Sequence, residues 1–517
     1  MDYYLALDAG TGSFRAVLFD GKGRHVKVVQ KEWYHLEDPE VEGSMNFDYE
    51  ENWLLVKRCI KEVSREVERA HIRTVSATSM REGFVLLDQQ GKELWACANV
   101  DARAAKEVRE LKEKHRTFEE EVYKTSGQTF ALGALPRLLW LEVHEPLIYN
   151  RMDCLLMIND WILYKLCGVK QTDPSNGCTT GIFSLEKRSW SKEIANRSGM
   201  ERNIFPEVNE PGTCIGYVES SLCEEIGLDS CTKVISGGGD AQVASIGVGA
   251  VHHGDTVISG GSFWQQEVNV STLPPRMEAN VRVNCHATCD LWQIETIVFT
   301  PGLVMRWFKN TFCHNEELEA GRLKKNVYEL MEEKARHVPV GSYGVIPIFS
   351  DVMNFIEWRH AAPSFLNLST DPKKSGHVVL YRSLLENTAL ATYGNLKRIE
   401  QEVNYYPTQV IFAGGAAKGK LWCQILADVL GVPVKVPAEK EAAALGTALL
   451  SATAVGAHRT LQDAVHEWVE WEQTYTPNRN HHEQYMKLYE TWRSAYAVQL
   501  QLADEGTTKH MWKAPGL

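Results

Sequence analysis

The feature that most constrains this chain is a pattern that occurs twice. Residues Tyr3–Leu7 and Ala16–Asp20 are short apolar runs separated by Asp8-Ala9-Gly10-Thr11-Gly12-Ser13-Phe14-Arg15. In the second half, Thr256–Ser259 runs into Gly260-Gly261-Ser262-Phe263, and Gln265–Val270 returns. Each reads as a β-hairpin whose turn is built from small residues. The repetition predicts an internal duplication, with two similar domains facing each other across a cleft. Length agrees, because 517 residues exceed what one hydrophobic core serves.

Just before the second hairpin lies Val234-Ile235-Ser236-Gly237-Gly238-Gly239-Asp240-Ala241-Gln242. A short apolar run enters three glycines, and the glycines deliver a single carboxylate. Glycine lets backbone come unusually close to a neighbour, and a strand's end beside a cleft is a usual place for α/β catalytic residues. Alone, the stretch reads equally as a Gly-rich turn whose Asp bonds its own backbone. Its place at the expected domain crossover favours the catalytic reading of Asp240. Domains are accordingly expected over residues 1–247 and 248–517, the second ending in a helical tail.

The first turn can present several N–H groups and hydroxyls to one anion, with Arg15 adding charge-assisted bonds. Asp8, at the strand's end, is placed to hold Mg²⁺ through water, since that ion keeps much of its hydration shell. A helix is expected over Glu50–Ala70, then a strand over Thr74–Thr78 that ends in Ser79-Met80-Arg81-Glu82-Gly83. An adjacent Arg and Glu suit a polyhydroxylated ligand, one donating and the other accepting; an exposed ion pair is the equal alternative. Leu94–Val100 reads as a strand, residues 104–150 as largely helical with a break at Gly127-Gln128-Thr129, and Asp173-Pro174-Ser175-Asn176 as a turn. Gly414, Gly419 and Lys420 mimic a P-loop, but Leu421 stands where that motif needs Ser or Thr. A Gly-rich turn opening a helix over Leu421–Leu430 still lets a flat base lie against backbone. Glu441–Gly446 begins a small-residue helix suited to close packing. Trp468, Trp471, Tyr485, Tyr489 and Trp492 read as an aromatic helical region.

A net charge of −12 argues against nucleic acid as the main partner. The first residues show no basic region, apolar core or cleavage site of a signal peptide, and no apolar run approaches the roughly 20 residues of a membrane span. Twelve cysteines without a CxxC pair fit a reduced, cytoplasmic protein. Cys285, His286 and Cys289 lack a second ligand pair at metal-site spacing.

Four stretches in this order, DAGTGSFR (Asp8–Arg15), SMREG (Ser79–Gly83), GGGDAQ (Gly237–Gln242) and AGGAAKGKLWCQILAD (Ala413–Asp428), resemble the FGGY carbohydrate kinases. DPSNGCTTGIF (Asp173–Phe183) and GLVMRWF (Gly302–Phe308) belong to the same pattern, which covers nearly the whole chain. The resemblance implies an α/β protein of two actin-like (ribonuclease H-like) ATPase domains facing across a cleft. ATP with Mg²⁺ would lie at the back and a sugar or polyol nearer the mouth. It carries Asp240 over as the general base, and Thr11, Gly12, Ser13 and Arg15 as phosphate-loop residues. Gly260, Gly261 and Ser262 would face the phosphates, with Ser262 supplying a hydroxyl because a family Thr aligns with Gly260. Gly302, Arg306, Gly415 and Gly419 fall at nucleotide positions. Arg81, Glu82 and Gln242 join Asp240 at the substrate.

Two departures bear on the acceptor. Asn99 stands where the family often has Trp, and a Tyr of the glycerol kinases has no counterpart around Ala131–Leu135. Asn in place of Trp exchanges a flat apolar wall for a donor and an acceptor, which fits a more oxygenated substrate than glycerol. The strings CANVDARAA (Cys97–Ala105), GGSFWQQEVN (Gly260–Asn269), PIFSDVMNF (Pro347–Phe355), AAPSFLNLS (Ala361–Ser369) and WKAPGL (Trp512–Leu517) resemble one branch of the family. That branch phosphorylates the terminal hydroxyl of an open-chain five-carbon signal, 4,5-dihydroxy-2,3-pentanedione. A ketopentose or another five-carbon polyol is the alternative acceptor, and a non-catalytic actin-like ATP-binding sensor is the alternative from another class. Some family members are controlled by phosphotransferase-system proteins, which makes a phosphocarrier protein a candidate regulator. Monomer and homodimer are both compatible with the chain.

Overall fold

The computed structural model of the protein describes residues 2–514 except 115, 116, 132, 201 and 276. Leu132 of the Ala131–Leu135 stretch and Pro515, Gly516 and Leu517 of the last string therefore lie outside the described residues.

The first hairpin is present and longer than its apolar runs. Strand β1 (Tyr3–Ala9) pairs antiparallel with β2 (Ser13–Asp20), Tyr3 opposite Asp20 and Asp8 opposite Arg15. Asp8 and Arg15 are thus strand residues, and the turn proper is Gly10-Thr11-Gly12. Strand β3 (His25–Glu32) extends the meander, helix α1 (Tyr49–Ser64) crosses over, and β4 (Ile72–Ser79) returns parallel to β1. α1 stops at Ser64, short of the expected Ala70, and a 3₁₀ turn at Arg69–His71 leads into β4. Helix α2 (Ile158–Cys167), then β5 (Cys214–Tyr217) and β6 (Lys233–Gly239), complete a sheet ordered β5-β6-β4-β1-β2-β3. Helix α3 (Asp240–Gly247) leaves β6 directly.

The second half repeats this wiring. β7 (Thr256–Gly260) and β8 (Trp264–Val270) form the second hairpin, followed by β9 (Arg282–Cys285) and β10 (Trp292–Val298). Helix α4 (Pro301–Phe312), a two-residue strand β11 (Arg359–His360) and the long helix α5 (His377–Val403) precede β12 (Val410–Ala413). Helix α6 (Lys420–Leu430), β13 (Val434–Pro437), helix α7 (Ala442–Ala454) and β14 (Trp471–Tyr475) follow. Helix α8 (Arg479–Asp504) and β15 (Trp512–Lys513) end the chain's described part. The sheet order is β9-β10-β8-β7-β12-β13-β14. With β7 set on β1, the antiparallel and parallel pairings match strand for strand, and β9 is the only addition at the edge.

Alternation along β1 and β2 gives the first sheet two apolar faces. Leu5, Leu7, Ala16 and Leu18 pack toward α1 and α2, whereas Tyr4, Ala6, Val17 and Phe19 pack with α3 and with Ala444, Leu445, Ala448 and Leu449 of α7. α7, from the second half, thus covers the first sheet. It touches α3 backbone to backbone: a Cβ on Gly247 would lie 1.9 Å from the Ala442 carbonyl oxygen, and one on Gly446 1.9 Å from that of Val243. The small residues expected to favour close packing are used in this contact.

Two expectations are corrected. Asp173-Pro174-Ser175-Asn176 is not an open turn; Asp173 caps a one-turn helix, Pro174–Gly177, by accepting from the Ser175 and Asn176 N–H groups. Trp471 is not helical but lies exposed on β14, its ring covered by the Lys435 ammonium at 3.7 Å. All twelve cysteines are free, and among the described residues no helix is long and apolar enough to cross a membrane.

Candidate active site

The glycines before Asp240 are needed by close neighbours within the protein. A Cβ on Gly237 would lie 1.8 Å from the Ala77 carbonyl oxygen of β4, and one on Gly238 2.5 Å from Ser175 Oγ. Close approach joins β6 to its neighbours and brings the start of α3 to the cleft. Asp240 is the first residue of α3, and its Oδ1 accepts the Ala241 N–H at 2.8 Å. Burial pushes its carboxyl up to about 7; Arg81, with Nε at 4.0 Å, opposes the rise and Asp8 adds to it.

Arg81 and Glu82 do not pair with each other. Arg81 forms a two-pronged pair with Glu295 of β10, and Glu82 pairs with Arg282 of β9. Arg282 Nε also donates to Gln128 Oε1 at 2.7 Å, and Asn284 Nδ2 to Glu295 Oε2 at 2.9 Å. These side chains are buried, so the exposed-ion-pair reading is excluded. Burial works to raise the Glu295 carboxyl, but Arg81 and Arg282 hold it below its usual range. Its cross-strand neighbour Glu267 has no partner for either oxygen, and burial together with Glu295 pushes it well above the carboxylate range. Glu82 takes a left-handed backbone, φ 63°, held by its carbonyl accepting from Arg137 at 2.7 Å. Such strain in a non-glycine residue collects where surroundings over-determine the backbone. Gln242 is fully buried, and its Nε2 donates to Gln293 Oε1 at 3.1 Å; it faces β10.

In the first turn, the carbonyls are tied down from one side. Trp33 Nε1 donates to the Gly10 oxygen at 2.9 Å, and His35 Nε2 donates to that of Thr11 at 2.7 Å. Thr11 and Gly12 are exposed and Ser13 half-buried, a disposition suited to an anion approaching N–H groups. Arg15 is already engaged by Asp8 at 3.1 Å, Gln30 at 3.1 Å and Glu441 at 3.6 Å. Asn99 Nδ2 donates to Thr11 Oγ1 at 3.0 Å, linking Asn99 to this turn.

The second turn is wedged between two elements of its own half. The Gly302 N–H donates to the Ser262 carbonyl at 3.2 Å, and a Cβ there would lie 2.3 Å from the Gly261 oxygen. A Cβ on Gly260 would meet Phe412 and Ala416 within 2.8 Å. Gly260, Gly261, Ser262, Gly302 and the start of the Gly415–Lys418 turn are therefore brought together, with Arg306 exposed one turn further along α4. Gly419 serves another neighbour: Glu332 Oε1 lies 2.2 Å from where its Cβ would be, and Glu332 Oε2 accepts the Leu421 N–H at 2.9 Å, capping α6.

A cleft of about 920 Å³ opens beside this assembly, its lining including Arg81, Glu82, Asn99, Phe263, Phe299 and Trp358. The sequence reading missed the partners Arg282, Gln128 and Glu295, and these rings. A signal for Glu295 was present, as a lone carboxylate inside the apolar strand Trp292–Val298. Phe263 follows directly on the small-residue turn. Among the described residues, no three His, Cys, Asp or Glu side chains form a metal cluster. Asp8 and Asp240 offer two carboxylates near enough for one to raise the other's proton affinity. That donor set fits a largely hydrated Mg²⁺ carried in with phosphates.

A duplicated sheet with a carboxylate at the crossover and a small-residue turn from each half defines a class, and comparison of sequences agrees. The chain belongs to the FGGY family of carbohydrate kinases: residues 3–247 match the family's N-terminal domain and residues 275–455 its C-terminal domain. It is 48% identical to the autoinducer-2 kinase of Escherichia coli (strain K12) over 518 aligned residues, covering 100% of this chain and 98% of that one. The autoinducer-2 kinase of Yersinia pseudotuberculosis serotype O:3 is likewise 48% identical, over 521 residues with the same coverage. Among solved structures, a ligand-bound xylulose kinase from Lactobacillus acidophilus superposes with a TM-score of 0.85 at 20% identity, over 97% of this chain and 99% of that one. Plasmodium falciparum glycerol kinase with ADP superposes at 0.84 and 18% identity, over 97% and 98%. The fold is therefore the two-domain, actin-like arrangement of these sugar kinases.

Proposed function

We propose that this chain is an ATP-dependent kinase of autoinducer-2, phosphorylating the terminal hydroxyl of its open-chain form, 4,5-dihydroxy-2,3-pentanedione. The observation that carries this reading is the 48% identity to autoinducer-2 kinases spread over the whole chain, acceptor-side and nucleotide-side segments alike. The halves work as residues 1–247, with the first phosphate turn and acceptor groups, and residues 248–517, with the second turn and the nucleotide side.

In the proposed reaction, Asp240 accepts the proton of the acceptor's primary hydroxyl as that oxygen attacks the γ-phosphorus of ATP in line. A base near the working pH combines availability with driving force, and a carboxyl raised to about 7 fits that requirement. Thr11, Gly12 and Ser13 from one half, and Gly260, Gly261 and Ser262 from the other, offer N–H and hydroxyl groups to the phosphates. Charge spreads there in the transition state. Asp8 would hold Mg²⁺ carried in with ATP, and the ion would supply neutralisation of part of that charge. Arg15, paired with Asp8, orients the carboxylate. Gly302 and Gly419 shape the nucleotide side through the second turn and the start of α6, and Gly415 and Arg306 line its approach. Arg81, Glu82 and Asn99 bind acceptor oxygens, and Gln242 steadies α3 against β10.

The test is release of ADP with MgATP and a panel of dihydroxypentanedione, xylulose, ribulose, glycerol and no acceptor. Strong preference for dihydroxypentanedione, with a phosphorylated product by mass, is expected. Preference for a ketopentose moves the substrate, and nucleotide binding without transfer favours a sensor. Cytoplasmic location, a monomer or homodimer, and control by a phosphocarrier protein complete the proposal; fractionation, ultracentrifugation and titration with that protein address them.

A further inference from the structure

The match to the family's C-terminal domain ends at residue 455, yet residues beyond it, Trp512 and Lys513, line the cleft. After α8 the chain turns back, and β15 lies antiparallel to β11, with Trp512 opposite His360 and Lys513 opposite Arg359. The Met511 N–H donates to the His360 carbonyl at 3.1 Å and the Ala514 N–H to that of Trp358 at 2.9 Å. Asp504 clasps the return, accepting from Arg359 at 2.8 and 3.0 Å and from His510 Nε2 at 2.8 Å. The strand is thus fixed at both ends.

It carries a ring into a row of rings. Trp512 packs 4.6 Å from Phe299 and 5.2 Å, edge on, from Trp358; Phe299 in turn meets Phe263 edge on at 5.2 Å. These four side chains and Lys513 line the same cleft as Arg81. Because Phe263 follows Ser262, the row runs from the second phosphate turn to the tail.

Resting on the kinase reading of this cleft, we propose that Trp512 is a specificity-determining residue. Strand β15 closes the acceptor side with an aromatic wall and, through Phe299, sets the position of Phe263. A flat apolar wall takes the C–H surface of a small oxygenated acceptor and leaves its oxygens to polar groups such as Arg81, the usual division of labour in such sites. The cleft lies at the upper end of the ~300–1,000 Å³ typical of small-molecule sites, so for a five-carbon acceptor the wall decides how much of it is usable. Phe299 and Trp358 lie inside the matched C-terminal domain, whereas Trp512 lies beyond it but inside the full-length match to autoinducer-2 kinases. Acceptor choice can therefore differ at this strand while nucleotide chemistry stays common.

The test is steady-state kinetics of the full-length wild type, Trp512→Ala, Trp512→Leu and Trp512→Phe with MgATP and dihydroxypentanedione, xylulose, ribulose and glycerol. Expected is a rise in acceptor KM of about tenfold or more for the Ala and Leu variants, the scale of lost apolar pocket contacts. KM for ATP should stay within about twofold, discrimination among acceptors should weaken, and Trp512→Phe should recover most of the loss. Trp512→Leu keeps an apolar side chain without the flat ring, and thermal melting identifies the folded variants. Folded variants with unchanged acceptor KM and ranking overturn the proposal, as does an equal rise in both KM values. A wild type that prefers another acceptor moves only the substrate, and the same comparison on that acceptor supports or overturns the wall. A wild type that transfers to none removes the kinase reading and this proposal together.

Discussion

At the scale of residues, Asp240 combines an unfavourable environment with the proposed chemistry. Its carboxyl is raised, so between about pH 4 and pH 7 the folded state holds a proton that the unfolded state has released. Stability from this group is therefore lost as pH rises through that window. Replacing Asp240 by Asn should raise the melting temperature at pH 8 while lowering kcat by on the order of 10²–10⁴, with ATP binding retained in calorimetry. Near-normal turnover in this variant would remove Asp240 from the role of base. The acidic limb of kcat/KM for the wild type should fall near pH 7, activity growing as the carboxyl ionises. Asp240 stood out in the sequence as a candidate because glycines and a crossover position mark it. Glu295 did not, since its importance comes from Arg81, 214 residues away, and only the fold joins them. Replacing Glu295 by Gln removes the two-pronged carboxylate partner of Arg81, at a cost on the order of 3 kcal/mol, measurable by urea unfolding alongside a raised acceptor KM.

At the scale of elements, hairpins, the strand before Asp240 and the Val410–Ala413 strand were legible because small-residue turns bound short apolar runs. Ends of elements were less so. α1 stops six residues before the expected Ala70 because nothing after Ser64 in the local pattern marks the end, which is set by the approach to β4. Trp471 looked helical by its neighbours, yet edge pairing with β13 makes it a strand residue. The second small-residue turn, proposed to face the phosphates, offers a prediction of its own kind. Replacing Gly302 by Ala places a methyl 2.3 Å from the Gly261 oxygen, so the turn or α4 must move. KM for ATP should rise about tenfold, with overpacking costing about 1–3 kcal/mol; unchanged nucleotide kinetics would show that the turn has no part in phosphate binding.

At the scale of the whole molecule, the duplication was the most readable property and the interlocking of its copies the least. No motif says that α7, from the second half, covers the first sheet; complementary small residues on α3 and α7 are recognised only once they touch. Gly446→Ala sets a methyl against backbone with no side chain to yield, and destabilisation of at least ~2 kcal/mol is expected in chemical unfolding. An increase in stability would show that the two helices separate easily. The same arrangement bears on synthesis. Tyr4, Ala6, Val17 and Phe19 leave a ribosome long before their cover at Ala444–Leu449. Until that cover is made, the nascent chain carries an uncovered greasy face, so a chaperone that holds such faces is a natural companion during its birth.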